Sequence, residues 1–405
     1  MTNNSKKGLA LSASRDFIFS VLALVIYNGV LQLVVYPGLN SRLGADAFGT
    51  VLYLISVVSI MGAGFGTAGS YSRMVANKDR THSNGDYNIF LLIVSAISVV
   101  VTFVALIALK ELKVTLYLQV LILMVVTVFR YYADVEWRMT IRFADYFLFF
   151  TCVSAGYLIG LLLFPGTGSW AFTLFFGEVL GIIYTVVRGK IFRAPFLTRS
   201  ESFNENLKSA FVISASNLLS ALILNSDRLL LRLAVGAREV TVFYTASLIG
   251  KIVAMLTTPL NGVIISYFTN YKIKLSKEKF VIIGVGMAVL SAIGAAVCTA
   301  VSMLFVKLMY PDIFDEARNY FFLANLGQIL YFISGSLMVI VMSFTKEKLQ
   351  LYINIFYVTT FVLVVVPLTI CLGLSGMAAG LVIVNGLRLL FTAFVGFRQI
   401  CIHGV

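Results

Sequence analysis

The chain has 405 residues, 60% of them hydrophobic and only 12% charged, with a mean hydropathy of +0.95. A membrane-spanning helix takes about 20 apolar residues, so this content supplies roughly twelve spans. It leaves no room for a soluble nucleotide-binding domain, which excludes an ATP-driven transporter carried on one chain, and it argues equally against a soluble enzyme. The net charge of +13 does not signal nucleic acid, because the basic residues sit in short connections between apolar runs and form no continuous solvated face.

In chain order, apolar runs of spanning length fall near 16–38, 47–72, 87–109, 114–133, 146–164, 170–188, 209–232, 241–268, 280–306, 317–344, 351–373 and 377–398. Backbone polar groups in lipid must be satisfied within each run, so every run is predicted to be helical. The expected fold is all-α: a polytopic membrane protein with about twelve transmembrane helices. Lys6 and Lys7 precede the first run as in a secretory signal, but the run is too long and no small-residue cleavage site follows, so it is read as a retained first helix. Lys and Arg in the short loops favour the side carrying both termini by roughly three to one, which places that side in the cytoplasm.

The four cysteines lie in or beside apolar runs at spacings that suit neither a disulfide framework nor a metal pair. His82 and His403, the only histidines, fall in polar ends, so no metal site is expected. Gly64-Phe-Gly-Thr-Ala-Gly69 matches the spacing of a dinucleotide fingerprint, but it ends an apolar run where a strand-to-helix turn would be needed. Gly62, Gly66 and Ser70, four residues apart, read instead as a close helix-packing face. Pro37, Pro259 and Pro367 lie near span ends, where proline kinks a helix.

The longest basic connection, Arg188 to Lys208, divides six spans from six, giving expected domains 1–195 and 196–405, each a six-helix bundle. The halves echo each other: Arg42-Leu-Gly-Ala-Asp-Ala-Phe-Gly-Thr-Val-Leu-Tyr53 resembles Arg232-Leu-Ala-Val-Gly-Ala-Arg-Glu-Val-Thr-Val-Phe-Tyr244. A repeat of six spans keeps its orientation, and two such bundles about an axis along the membrane normal make a transporter layout with a central cleft.

Ionisable groups inside spans are costly and normally face a wet cavity or a partner. Lys251 and Arg388 each fall ~16 Å along their helices, close to mid-bilayer, and Glu178, ~12 Å from the same face, is a carboxylate within reach of either. Arg228 and Asp227 lie nearer the end of the seventh span. Asn28, Gln119, Asn217, Gln328 and Asn385 are polar groups at comparable depth and candidate cleft lining. Arg130, Asp134, Glu136 and Arg138 read as an interfacial salt-bridge network, and Arg42 as a loop charge. The bland reading of the deep cations is an ion pair or a snorkelling side chain. A cleft richer in cations than in carboxylates suits an anionic, phosphate-bearing substrate, whereas an exporter of organic cations needs net negative charge or an aromatic cage. The many Phe and Tyr were expected chiefly in lipid-facing packing and interfacial belts.

Six-plus-six spans, the basic central connection, Arg42-Leu-Gly-Ala-Asp-Ala-Phe-Gly49, Gly62-Ala-Gly-Phe-Gly-Thr-Ala-Gly-Ser-Tyr-Ser-Arg73 and Asn225-Ser-Asp-Arg-Leu-Leu-Leu-Arg-Leu-Ala-Val-Gly236 together resemble the polysaccharide-repeat (Wzx-type) flippases of the multidrug/oligosaccharidyl-lipid/polysaccharide (MOP) exporter superfamily. The resemblance implies a MATE-like fold, movement of an undecaprenyl-diphosphate-linked oligosaccharide for O-antigen, capsule or exopolysaccharide synthesis, and no enzymatic activity. It also implies a cationic central cavity, onto which Lys251, Arg388 and Arg228 map by position. Expected partners are the lipid-linked oligosaccharide, membrane lipids, a polysaccharide polymerase and a chain-length regulator. No cofactor is expected. Coupling to a proton or sodium gradient would fall to Glu178 or Asp227. The competing readings are a MATE-like cation-coupled drug antiporter and, from another class, a membrane glycan polymerase or ligase, for which no convergent acid, base and nucleophile set is visible.

Overall fold

The computed structural model describes residues 3–255, 261, 276–342 and 348–403, and among these all regular structure is helical. The first span comprises α1 (Asn3–Val30) and α2 (Tyr36–Leu43), joined by a π-helical turn at Leu31–Val35; α3 (Ala45–Met61) and α4 (Thr67–Asp79) are joined by a second, at Gly62–Gly66. There follow α5 (Asn84–Ala108), α6 (Val114–Ala133), the short α7 (Val135–Met139), α8 (Phe143–Thr167), α9 (Trp170–Arg188), α10 (Phe203–Ala234) and α11 (Ala237–Met255). The remaining elements are α12 (Lys277–Met309), α13 (Phe321–Met342), α14 (Lys348–Thr360) and α15 (Val366–His403), with a third π-turn at Phe361–Val365.

Ten stretches among the described residues are long and apolar enough to cross a membrane. One of them, Tyr352–Gln399, turns at Gly373, whose φ of 59° and ψ of −133° break the helix into two arms. The left-handed region is cheap only for glycine. With those arms separated and α11 added, the elements reach the twelve spans expected. The predicted eighth span, 241–268, passes outside the described residues beyond Met255, as do Pro259, Lys272, Lys274 and Lys346.

Helix starts are set by local hydrogen bonding. Ser83 and Asp86 form a reciprocal capping box at the start of α5, and Ser169 and Ser276 accept from Phe172 N and Lys279 N. Each satisfies an amide that a helix otherwise leaves unpaired.

Two compact units emerge: Met1–Arg42 with Val51–Ser226, and Leu43–Thr50 with Asp227–Val405. The expected boundary at 195/196 differs from this one, which falls inside α10. The reason is polar: Asn206, in the first turns of α10, donates to Thr81 O and Asp86, and its carbonyl accepts from Ser72. That end of α10 therefore packs as part of the first unit. Arg232, at the other end of the helix, donates to Thr50 in the second.

In the first unit α8 and α9 pack at backbone distance. A methyl group on Gly156 would overlap Gly177 and the Phe176 carbonyl, and one on Gly160 would overlap Thr173. Gly62 and Gly66 abut Tyr131, and Gly66 also meets the Val128 carbonyl, while Ser70 donates to Asp134 at 3.1 Å. The glycine-rich run is thus a helix contact against α6. Close approach of this kind replaces the hydrophobic effect as the source of helix association in lipid. Gly156→Val is expected to cost ~1–3 kcal/mol through forced separation of α8 and α9, read as an apparent Tm several degrees lower for the detergent-purified protein; an unchanged Tm would contradict the packing account.

Candidate functional site

The buried charges gather in one constellation in each unit. In the first, α6 presents Arg130 and α9 presents Glu178. The guanidinium donates to the carboxylate through Nε at 2.6 Å and Nη2 at 3.3 Å, a two-pronged pair. Tyr157 on α8 donates to the same carboxylate at 2.5 Å, and Tyr27 on α1 accepts from Arg130 Nη2 at 3.1 Å. The ring of Tyr131 lies 3.9 Å from the guanidinium carbon. These residues line a small cavity of about 30 Å³ with Thr127, Ser59 and Leu31. Arg130 is 3% exposed, so removing one partner of the pair would strand a buried charge.

This differs from the sequence reading twice. Arg130, read from the sequence as part of an interfacial salt-bridge network with Asp134, Glu136 and Arg138, is buried and pairs with Glu178 on α9. Glu178 consequently pairs with Arg130, within the first unit, and neither Lys251 nor Arg388 is its partner. The rest of the supposed interfacial network divides: Asp134 pairs with Arg138 at 3.4 Å, whereas Glu136 accepts from the backbone amides of Lys190 and Ile191. Arg42 donates to Leu161 O at 2.6 Å, near the end of α8.

In the second unit, Lys251 on α11 forms an ion pair with Asp227 on α10. Tyr244, one face of α11, packs beneath both cations of this cluster: its ring centroid is 4.8 Å from the Arg228 guanidinium carbon and 5.9 Å from Lys251 Nζ. Asp227 is buried and its Oδ1 has no hydrogen-bond partner. Lys251 is therefore a neutralised cation.

Arg388 on α15 is different. It is 5% exposed, and it lies between the rings of Tyr331 on α13 and Tyr357 on α14, 4.9 and 4.8 Å from their centroids. Its Nε and Nη1 are buried without a hydrogen-bond partner, and no carboxylate among the described residues pairs with it. Two aromatic faces stabilise a guanidinium but leave Nε and Nη1 unsatisfied, and a buried unsatisfied charged donor is expensive. One helical turn away, Asn385 donates from Nδ2 to Gly327 O at 2.9 Å, which fixes the orientation of its amide; its Oδ1 is buried and unpaired. Donors and an acceptor thus stand vacant on one face of α15.

The other polar residues named from the sequence are dispersed. Asn28 donates to Leu24 O and accepts from Gln32, on the same helix, and Gln119 accepts from Ser169 Oγ at 3.1 Å. Asn217 is half-buried. Gln328 packs near Gly250, where the main anchor is Asn325, which accepts from Gly250 N and donates to Ala246 O. Sequence reasoning missed Arg130, Tyr27, Tyr157, Tyr244, Tyr331 and Tyr357. The signal available was a Tyr at span depth wherever an Arg or Lys stood at that depth. Among the described residues no cluster has the composition of a metal site.

No protein-family model matches the chain, and no curated protein matches it in sequence. Its fold is similar to those of solved transporters. The lipid II flippase MurJ, in an inward closed conformation, superposes with a TM-score of 0.67 at 13% identity, over 93% of this chain and 87% of that one. An inward-facing multidrug resistance MATE family transporter of the MOP superfamily gives 0.56 at 15% identity over 95% and 94%. A MOP superfamily transporter from Pyrococcus furiosus, described as having a binding pocket of reverse polarity, gives 0.56 at 14% over 96% and 95%. The chain thus has the polytopic, all-helical fold of MOP-superfamily transporters, and these neighbours are transporters and flippases, not enzymes.

Disrupting the first constellation has a defined energetic signature. Arg130→Met and Glu178→Met singly are each expected to destabilise by ~3–5 kcal/mol, while the double replacement is close to neutral. A double-mutant cycle on thermal unfolding measures this; additive losses would show that the two side chains are not coupled.

Proposed function

We propose that the chain is a flippase that moves a polyprenyl-diphosphate-linked oligosaccharide across the bacterial inner membrane by alternating access, with both termini in the cytoplasm, feeding O-antigen, capsule or exopolysaccharide synthesis. The observation that carries this reading is Arg388: a buried guanidinium whose Nε and Nη1 are unmet and that has no carboxylate partner among the described residues. An anionic oxygen satisfies such a fork directly, and phosphate geometry matches it. The vacant Asn385 Oδ1 beside it suits a hydroxyl or amide donor of the first sugar. Glu178 and Asp227, the carboxylates a cation carrier would use, are already engaged by Arg130 and Lys251. MurJ, a lipid II flippase, has a lipid-linked cargo and supports the same class of substrate. In this reading the glycan and diphosphate travel a polar path while the polyprenyl tail stays in lipid, which avoids stripping water from the headgroup. The chain is not an enzyme; a polymerase and a chain-length regulator act on its product. A proton or sodium gradient would couple through Glu178 or Asp227 only in a step of the cycle that opens its ion pair.

Likeness to MATE transporters favours one alternative, export of organic cations. Reconstituted vesicles separate the two. Wild-type protein is expected to translocate a polyprenyl-diphosphate oligosaccharide and no organic cation. Loss of a charge-assisted hydrogen bond costs ~1.5–3 kcal/mol, so Arg388→Ala is expected to slow translocation by roughly ten- to a hundred-fold. Arg388→Lys, which keeps the charge and loses the fork, should fall between. Normal flipping by a folded Arg388→Ala protein, or gradient-driven cation export by the wild type, would overturn the reading.

A further inference from the structure

The basic connection between α9 and α10 is fixed in place on the first unit, although it contains almost no regular structure. Its backbone is held at four points. Glu136 accepts from Lys190 N and Ile191 N at 3.0 and 3.1 Å; Asn84 donates to Lys190 O and Arg193 O at 3.0 and 2.8 Å. Asn88 donates to Phe196 O at 2.9 Å, and Asp86 accepts from Ser200 N and Ser200 Oγ at 2.8 and 2.6 Å. The strand of chain passes so close to the start of α5 that a methyl group on Gly85 would overlap the Thr198 backbone.

The anchoring uses backbone groups together with Ser200 Oγ, and Ile191 and Phe192 pack inward, while the side chains from Arg193 to Arg199 are left outward. Phe196 is 61% exposed and Leu197 60% exposed. They are flanked by Lys190, Arg193 and Arg199, all exposed, and 188–200 contains no acidic residue. The nearby carboxylates Asp86 and Glu136 are buried and taken up by amides, and Glu201, exposed just after the segment, pairs with none of these three cations; none of the three has a carboxylate within 4.0 Å among the described residues. His82, beside them, has its pKa lowered by burial and then by the Arg73 charge, so it adds no acid-labile positive charge at neutral pH. The depth is defined as well. Asn88, which holds Phe196, immediately precedes the apolar run of α5 that begins at Ile89, so the exposed aromatic lies where hydrocarbon meets headgroups.

We propose that this strap is a built binding surface for anionic phospholipid headgroups, with Phe196 and Leu197 inserted at the acyl boundary and Lys190, Arg193 and Arg199 on the phosphates. A pair of apolar side chains among unpaired cations is the pattern of interfacial membrane binding, each cation adding about fivefold to the preference for an anionic surface. The occupant is bilayer lipid, because the cations are spread along an extended segment at one depth and do not converge on one point.

The test places full-length Phe196→Trp protein in nanodiscs of neutral phosphatidylcholine, with and without phosphatidylglycerol, and subtracts the wild-type signal of Trp137 and Trp170. The reporter is expected to be blue-shifted, quenched by brominated lipid and shielded from acrylamide. Lipid co-purification by native mass spectrometry should show phosphatidylglycerol retained by the wild type and depleted at least tenfold in Arg193→Gln/Arg199→Gln, a surface variant that leaves the anchoring backbone bonds intact. Acrylamide access equal to that of free tryptophan, a protein partner shielding the reporter in lipid-free detergent, or unchanged phosphatidylglycerol retention in the double variant would each overturn the proposal.

Discussion

A charge inside a membrane bundle has no water to fall back on, and Arg130, Glu178, Lys251, Asp227 and Arg388 are organised by that constraint. Arg130 and Glu178 answer it by pairing with each other, with two tyrosine hydroxyls completing their hydrogen bonding. Lys251 and Asp227 answer it the same way, over the ring of Tyr244. Arg388 answers it only in part. Its faces are covered by Tyr331 and Tyr357, while its hydrogen-bonding edge is left unmet. A folded bundle that keeps such a group bears its cost, and an anion arriving from outside removes it.

The pairs and the lone arginine divide the work. A neutral pair is poor bait for a charged headgroup, since binding must first break the pair. A guanidinium held flat between two rings is preorganised, because the rings fix its plane and depth at no expense of its donors. The π-turns sit close to both constellations: Leu31, in the first, lines the cavity that holds Arg130, and Phe361, opening the third, is one turn from Tyr357. Single π-turns inside α-helices are frequent at functional sites.

The layout was readable from the sequence because span length is a property of composition alone. Twelve apolar runs, a basic connection between six and six, and the all-helical consequence follow from counting. The compact units divide inside α10 because Asn206 and Asp86 bond across the connection, a contact invisible to hydropathy. Depth counting picked out Lys251 and Arg388 as buried cations, but it gave Glu178 the wrong partner. Counting residues from a helix start says nothing about which way a side chain points, so it could not show that Arg130, near the end of the fourth span, turns to Glu178. The tyrosines were set aside as interfacial belts. In the fold they are the rings and hydroxyls that hold the charges, a role that needs both ends of an amphipathic side chain.

The central claim is that an unmatched cationic fork draws a phosphate-bearing lipid headgroup into the protein. Equilibrium binding of short-chain polyprenyl diphosphate, monophosphate and alcohol to the purified protein, followed at several salt concentrations, addresses it without any transport step. The account predicts that the diphosphate binds at least about tenfold more tightly than the alcohol, with the advantage persisting at high salt because the guanidinium is buried. Equal affinity for the three lipids would contradict it.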